Sequence, residues 1–381
     1  MNGFSYYNPI RVEFGDDKLA LLGELCAGKR AMVVFGGASA RATGTLDEVL
    51  GILRGAGAEP IEHGGVTICD MDSLKAGIDH ARTEAAQVVV GLGGAMCMDL
   101  AKGVAVGALH DDWRERFMAG TSLAADEGHL AVIEVPTYPS TGSEDDPVGD
   151  IVGPFGGIEG VWPTASLICP RLTVSLDARN TALSVLVTLT QVTASVVGDE
   201  NPFSRALGTA ALRAVIAAER TLRSDPGDLD ARGAIMWASC LSTSGQLGLG
   251  TKADWRWSIY SAGRLGRLLH AVMYRDGQAV ALPRWLAFAA REHPVEMRTL
   301  FTEGYGLDAT KDTAALARDA YELMLDIARA GGAPLTWRAF GDEPDDERIR
   351  EAVAQVSSRA FTPERYTELA RACYREEFPF V

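Results

Sequence analysis

The sequence contains no apolar run approaching the roughly 20 residues that a membrane-spanning helix needs. Its start, Met1 to Arg11, lacks a charged region followed by an apolar core, so no secretory leader is expected and the chain reads as cytoplasmic. None of the six cysteines (Cys26, Cys69, Cys97, Cys169, Cys240 and Cys373) forms a CxxC pair. That argues against a disulfide or zinc framework and for reduced, buried thiols. Basic charge is short as well: Lys plus Arg total 36 against 51 Asp plus Glu, a formal net charge of -15, with no basic stripe. Nucleic acid and anionic membrane surfaces are therefore not expected partners. Only six of the basic residues are lysines, and none lies between Lys102 and Lys252.

What is present is a chain of 381 residues, 47% hydrophobic and 23% charged, long enough for two domains. Ala31 to Phe35 reads as a buried strand ending in Gly36-Gly37, followed by Leu46, Val49, Leu50 and Leu53 at helical spacing until Gly55 and Gly57. Leu74 to Thr83 reads helical, Ala86 to Val90 reads as a strand, and Gly91 to Ala95 turns into a helix through Asp99, Ala101 and Lys102. Further strands are expected at Ala131 to Val135 and Ser166 to Ile168. Such alternation implies a parallel sheet with its ligand at the carboxyl ends of the strands. Beyond about residue 178 the period becomes helical: Leu212, Val215, Ile216 and Leu222 mark one face, and Leu316, Ala320, Leu323 and Ile327 another, closed by Gly331-Gly332. Thr362-Pro363 opens a last helix. The expectation is an α/β domain over 1–177, an all-helical domain over 178–381, and a cleft between them. Asp342 to Glu347 and the Asp145-Asp146 pair read as solvated turns.

Gly91-Leu92-Gly93-Gly94-Ala95-Met96, between strand and helix, lets backbone N–H groups approach a phosphate where the helix dipole favours negative charge. A simple tight turn would look similar, and Met96 departs from GxGxxG. The wider pattern is more specific: Gly91-x-Gly93-Gly94-x-x-x-x-Asp99-x-Ala101-Lys102, then Pro136-Thr137, Thr141-Gly142-Ser143-Glu144 and Ala281-Leu282-Pro283. This resembles the iron-containing (group III) alcohol dehydrogenase family over nearly the whole chain. Gly36-Gly37-Ala38-Ser39, Trp237-Ala238 and Asp254-Trp255 are similar to its butanol dehydrogenase and aldehyde reductase branch. The resemblance implies a dinucleotide-binding α/β domain of dehydroquinate synthase-like fold and an all-α domain. It also implies a divalent metal, held by one Asp and three His, that polarises a carbonyl while nicotinamide delivers hydride. It places Gly36, Gly37, Ser39, Arg41, Gly93, Gly94, Ala95, Met96, Asp99, Lys102, Thr137, Thr141 and Ser143 against the cofactor. Ser39 and Arg41, with no acidic residue after the first strand, favour the 2'-phosphate of NADPH, with NADH not excluded.

The implied ligand positions fall on Val187, Gln191, Tyr260 and Tyr274, none a metal ligand of the expected kind, so no metal is expected. The family's lysine between TGSE and the helical domain is absent, with Glu159 or a deletion in its place, and Arg264 replaces a further histidine. Candidate replacements for the metal are Tyr260, Tyr274 and His270 as proton source, with Gln191 and Arg264 beside them. Arg256, Arg267 and Arg275 crowd the same stretch and would suit an anionic substrate. Trp255 and Trp257 read as partly core. Three readings stay open: a metal-independent NAD(P)H-dependent reductase of a small aldehyde or ketone in specialised metabolism, a cofactor-free acid-base enzyme on the same scaffold, and a non-catalytic binding partner. A homodimer is expected.

Overall fold

A computed structural model describes residues 2–120, 123, 127–153, 157–197, 201–251, 255, 257–356 and 361–380. The chain divides into two compact units, Tyr7–Ser175 and Leu176–Val381, and the residues before Tyr7 belong to the second. The expected division, after residue 177, lies two residues beyond the end of the first unit. The main-chain N–H and side-chain Nδ2 of Asn2 both donate to Gly250 O, at 3.2 and 3.1 Å, which ties the first residues to the helical unit.

The first unit contains strands β1 (Arg11–Phe14), β2 (Arg30–Phe35), β3 (Glu59–His63), β4 (Val88–Gly93), β5 (Ala131–Pro136), β6 (Gly149–Asp150), β7 (Gly157–Ile158) and β8 (Ala165–Ile168). Its helices are α1 (Leu21–Cys26), α2 (Ser39–Ala42), α3 (Thr45–Gly55), α4 (Met71–Thr83), α5 (Ala95–Gly107) and α6 (Trp113–Ala119). Six strands form a parallel sheet in the order β1-β8-β5-β4-β2-β3, and β6 and β7 pair as a short antiparallel ribbon. Alternation along the inner strands sends Ala31, Val33 and Phe35 into one core with α1 and α3, and Met32 and Val34 into another with α4 and α5. Both faces are covered, which is why these strands read as continuous apolar runs.

The two edge strands escaped the sequence reading. In β3 only Ile61 is buried, among Glu59, Pro60 and Glu62, and no residue of β1 is fully buried. Charge and proline suit an edge and erase the apolar signature of a strand.

The second unit is helical: α7 (Ala178–Val196), α8 (Pro202–Ser224), α9 (Leu229–Thr243), α10 (Trp257–His270), α11 (Tyr274–Glu292), α12 (Pro294–Thr299), α13 (Thr313–Gly331), α14 (Asp346–Ala354) and α15 (Pro363–Ala372). Caps follow the sequence signals. Asp177 accepts from Asn180 N, Thr362 accepts from Arg365 N with Pro363 following, and Gly332 closes α13 at φ +70°. The Asp342–Glu347 stretch is only partly loop, because Asp345 caps α14 and Asp346 and Glu347 form its first turn. All six cysteines are free and buried. No helix among the described residues is long and apolar enough to cross a membrane.

Candidate functional site

In the α/β unit the carboxyl ends of β2 and β4 carry two glycine-rich turns. Gly93 has φ +151°, where a side chain is strained, and a Cβ there would lie 2.8 Å from Cys97 Sγ. Cys97 also lies close to Gly36, so one buried thiol is packed between both turns. Gly94, at φ -94°, begins α5 without a side-chain cap; Cys97 N donates back to Gly94 O at 3.0 Å, so the first-turn N–H groups offered to an anion are those of Ala95 and Met96. Gly93, Gly94, Ala95 and Met96 form a half-exposed rim on a buried strand and helix. Thr137 N donates to Gly93 O at 2.9 Å, bringing the Pro136-Thr137 loop alongside the turn. That loop holds Ser140 at φ +71°, a strained conformation for a non-glycine residue.

Other residues expected at the cofactor face inward. Lys102 is fully buried, and its ammonium donates to Asp146 O (2.9 Å), Asp146 Oδ1 (3.1 Å) and Val148 O (2.6 Å). Three donors are thus committed, and Lys102 holds the 146–148 loop. Asp145-Asp146 is no solvated turn: Asp145 is buried and accepts from Asn8 Nδ2 at 2.8 Å. Thr141 Oγ1 donates to Glu144, and Ser143 is buried. Burial pushes Asp99 up to about 7 against the opposing pull of Lys102 and Ser143, and pushes Glu144 up to about 7 as well.

Sequence reading missed Glu134. It lies in the middle of β5, opposite Gly91, and is fully buried. Neither carboxyl oxygen has a hydrogen-bond partner among the described residues. A Cβ on Gly91 would overlap Glu134 Oε2, so the glycine makes room for the carboxyl beneath the turn. Burial holds this group well above the ordinary carboxylate range, with Lys102 opposing and Asp99 and Glu144 reinforcing the rise. The only warning in the sequence is an acid inside the apolar run Ala131-Val132-Ile133-Glu134-Val135.

Ser39 and Arg41 lie on exposed α2, where Arg41 stacks over Phe35 at 5.0 Å and pairs with Glu62 at 2.8 Å. An acidic residue is therefore present after all, supplied by β3 rather than by the segment after β2. Sequence distance hid this pairing.

In the helical unit, Val187 and Gln191 lie one turn apart on α7 and both are buried. Gln191 Oε1 accepts from Ser239 Oγ of α9 at 2.9 Å. Tyr260 is half-buried on α10, its ring 5.6 Å from exposed Trp257. Tyr274 begins α11 and its hydroxyl donates to Gln278 Oε1 at 3.0 Å. His270 Nε2 and Tyr374 Oη are 2.6 Å apart, with Trp337 and Phe340 around the ring, and burial lowers its pKa. That places His270 in an aromatic core contact. Arg264 is exposed, and Arg275 approaches Asp276, which Arg179 also pairs. Trp255 stacks on His293 at 4.2 Å, whereas Asp254 and Arg256 lie outside the described residues. No group of three or more His, Cys, Asp or Glu stands at metal-holding separations among the described residues.

Residues 9–152 match the family model described as iron-containing alcohol dehydrogenase. NADH-dependent butanol dehydrogenase A of Clostridium acetobutylicum is 25% identical over 353 residues, 90% of each chain. NADPH-dependent aldehyde reductase YqhD of Escherichia coli is 25% identical over 298 residues, 74% of this chain and 75% of that one. The crystal structure of NADH-dependent butanol dehydrogenase A from Thermotoga maritima superposes with a TM-score of 0.85 at 21% identity, covering 98% of this chain and 99% of that chain. The glycine turn and the DxAK and TGSE segments all lie within residues 9–152, the part of the chain that matches the iron-containing alcohol dehydrogenase model, and over nearly its whole length the chain has the fold of the Thermotoga maritima butanol dehydrogenase.

Proposed function

We propose that this protein is a metal-independent NAD(P)H-dependent reductase of a small aldehyde or ketone. The observation that carries the reading is the Gly93 turn, at a φ that suits glycine alone, which opens an uncapped α5 and fits a dinucleotide cradle, while the family's ligand positions carry Val187, Gln191, Tyr260 and Tyr274. One aliphatic chain, one amide already bonded to Ser239 and two phenols do not fit a divalent ion that wants carboxylate and imidazole donors.

The nicotinamide, when bound, supplies the hydride. The chain's own residues bind and orient it: the N–H groups of Ala95 and Met96 at the start of α5 face the pyrophosphate, and Gly36, Gly37 and Ser39 admit the adenosine end. A developing alkoxide needs a proton, and Tyr274, half-buried with its hydroxyl in a defined hydrogen bond, is the donor this reading favours. His270 is less suited because its Nε2 faces Tyr374. Arg264, exposed on α10, suits a substrate with an anionic group. The reading includes a homodimer in the cytoplasm and a role in specialised metabolism.

The test pairs elemental analysis with NADPH and NADH titration of the purified protein. Metal-free protein that binds a nucleotide saturably and oxidises it with a carbonyl substrate is the expected result. Metal-free protein that binds neither nucleotide overturns the reading in favour of cofactor-free acid-base chemistry. Arg41 supplies a sharper expectation, since its guanidinium suits a 2'-phosphate once released from Glu62. Arg41→Ala is expected to weaken NADPH binding about tenfold, roughly 1.4 kcal/mol, and to leave NADH binding within about twofold, as read by fluorescence titration.

A further inference from the structure

The α10 and α11 helices meet through small residues: a Cβ on Gly266 would lie 2.8 Å from Gly277 Cα. One turn before Gly266, the space over Gly263 is filled by the carboxamide of Gln278, and a Cβ on Gly263 would overlap Gln278 Oε1. Gln278 is fully buried. Its Oε1 accepts from Tyr274 Oη at 3.0 Å, and its Nε2 has no hydrogen-bond partner among the described residues. An amide buried with one end unbonded is costly, and nothing in the packing of two helices demands it. Leucine would fill the same space without a polar atom.

The carboxamide's two ends are nearly isosteric, and turning it by 180° exchanges them. With the oxygen facing Tyr274, the phenol proton is held by Gln278. With the nitrogen facing Tyr274, Nε2–H donates to Oη and Gln278 no longer holds the phenol proton. In the observed orientation one end of the amide is unbonded, so the surroundings do not pin it at both ends. We infer that Gln278 is a positioning residue for Tyr274, holding the phenol proton in one amide orientation and stabilising the phenolate in the other. This rests on the reductase reading. In the step it serves, the Oη–H bond breaks and the proton passes to the substrate's carbonyl oxygen, whose carbon has gained the hydride. The electron pair left on Oη is held by Nε2–H, and water later returns the proton.

Two variants separate this role from packing. Gln278→Leu keeps the volume and removes the amide. Gly263→Ala keeps every polar group and displaces the carboxamide, and alanine also favours the helix. In nucleotide-free protein labelled with tyrosine carbon-13 at Cζ, the resonance missing from Tyr274→Phe reports Tyr274. The charged neighbours Arg275 and Asp276 on α11, and Arg179 on α7, are unchanged in both variants.

The expected result is that Tyr274 ionises about one pH unit higher in both variants, the tenfold change that loss of one hydrogen bond to a charged group brings. In the loaded enzyme kcat falls at least about tenfold while KM stays within about twofold. Tyr274 titrating as in the wild type in both variants overturns the inference. Should the protein bind no nucleotide, the reductase reading fails on that measurement, while the Tyr274 titration still reports the coupling to Gln278.

Discussion

Glu134→Gln is expected to raise the melting temperature at pH 8 by several degrees and to leave it nearly unchanged at pH 5. The cause is the carboxyl under the glycine turn, fully buried with both oxygens unbonded among the described residues. Burial keeps it protonated in the fold, well above the usual carboxylate range. In the unfolded chain it releases its proton near pH 4.3. Above that value the folded state binds more protons than the unfolded state, so stability falls as pH rises. Each pH unit costs about 1.4 kcal/mol until the buried group itself ionises. Asp99 and Glu144, both pushed up to about 7, add to the slope with the same sign and cease to add above that pH. The wild type is therefore expected to lose stability between pH 5 and pH 8, and the glutamine variant to lose less. Parallel thermal scans of the two proteins check this. Curves with equal slopes would show that Glu134 is ionised in the fold and has an ion or water partner.

Gly93→Val is expected to weaken NADPH binding by at least about a hundredfold, roughly 2.7 kcal/mol. Position 93 sits at φ +151°, and a Cβ would lie 2.8 Å from Cys97 Sγ and 3.1 Å from its Cβ. Backbone strain and crowding act together on the turn that carries the nucleotide reading. Gly94→Ala is the informative neighbour. Its φ is -94°, and its added methyl meets nothing nearer than Tyr138 Cβ at 3.6 Å, so the fold tolerates it. Loss of nucleotide binding in Gly94→Ala would then report direct contact of that backbone with the pyrophosphate. Equal, wild-type binding by Gly93→Val and Gly94→Ala would remove the nucleotide from this turn.

Much of the α/β unit was legible because β2, β4 and β5 are covered on both faces and their apolar runs record it. Edge strands β1 and β3 were not legible, since half-exposed Glu-Pro-Ile-Glu-His looks like a loop. The motif spacing located the glycine turn and did not give side-chain directions. Lys102 was expected at the cofactor, yet α5 is buried from Cys97 to Gly107 and sends the ammonium to Asp146 and Val148. Arg41 looked free of acids because Glu62 is 21 residues away and arrives only through strand pairing. The Tyr274, Gln278 and Gly263 arrangement needs two helices packed at contact, which a one-dimensional pattern does not encode.

The six free thiols turn each unit into its own reporter. Burial pushes Cys26 and Cys169 up to about 11 and Cys97 and Cys373 up to about 12, so little reactive thiolate exists near neutral pH. A thiol reagent therefore modifies the native protein only through opening, and its rate measures how often each region opens. Cys26, Cys69, Cys97 and Cys169 count openings of the α/β unit, while Cys240 and Cys373 count those of the helical unit. Cys97, packed between Gly36 and Gly93, reads the turn itself, so a ligand that orders that turn would be registered as slower labelling at one position without any added probe.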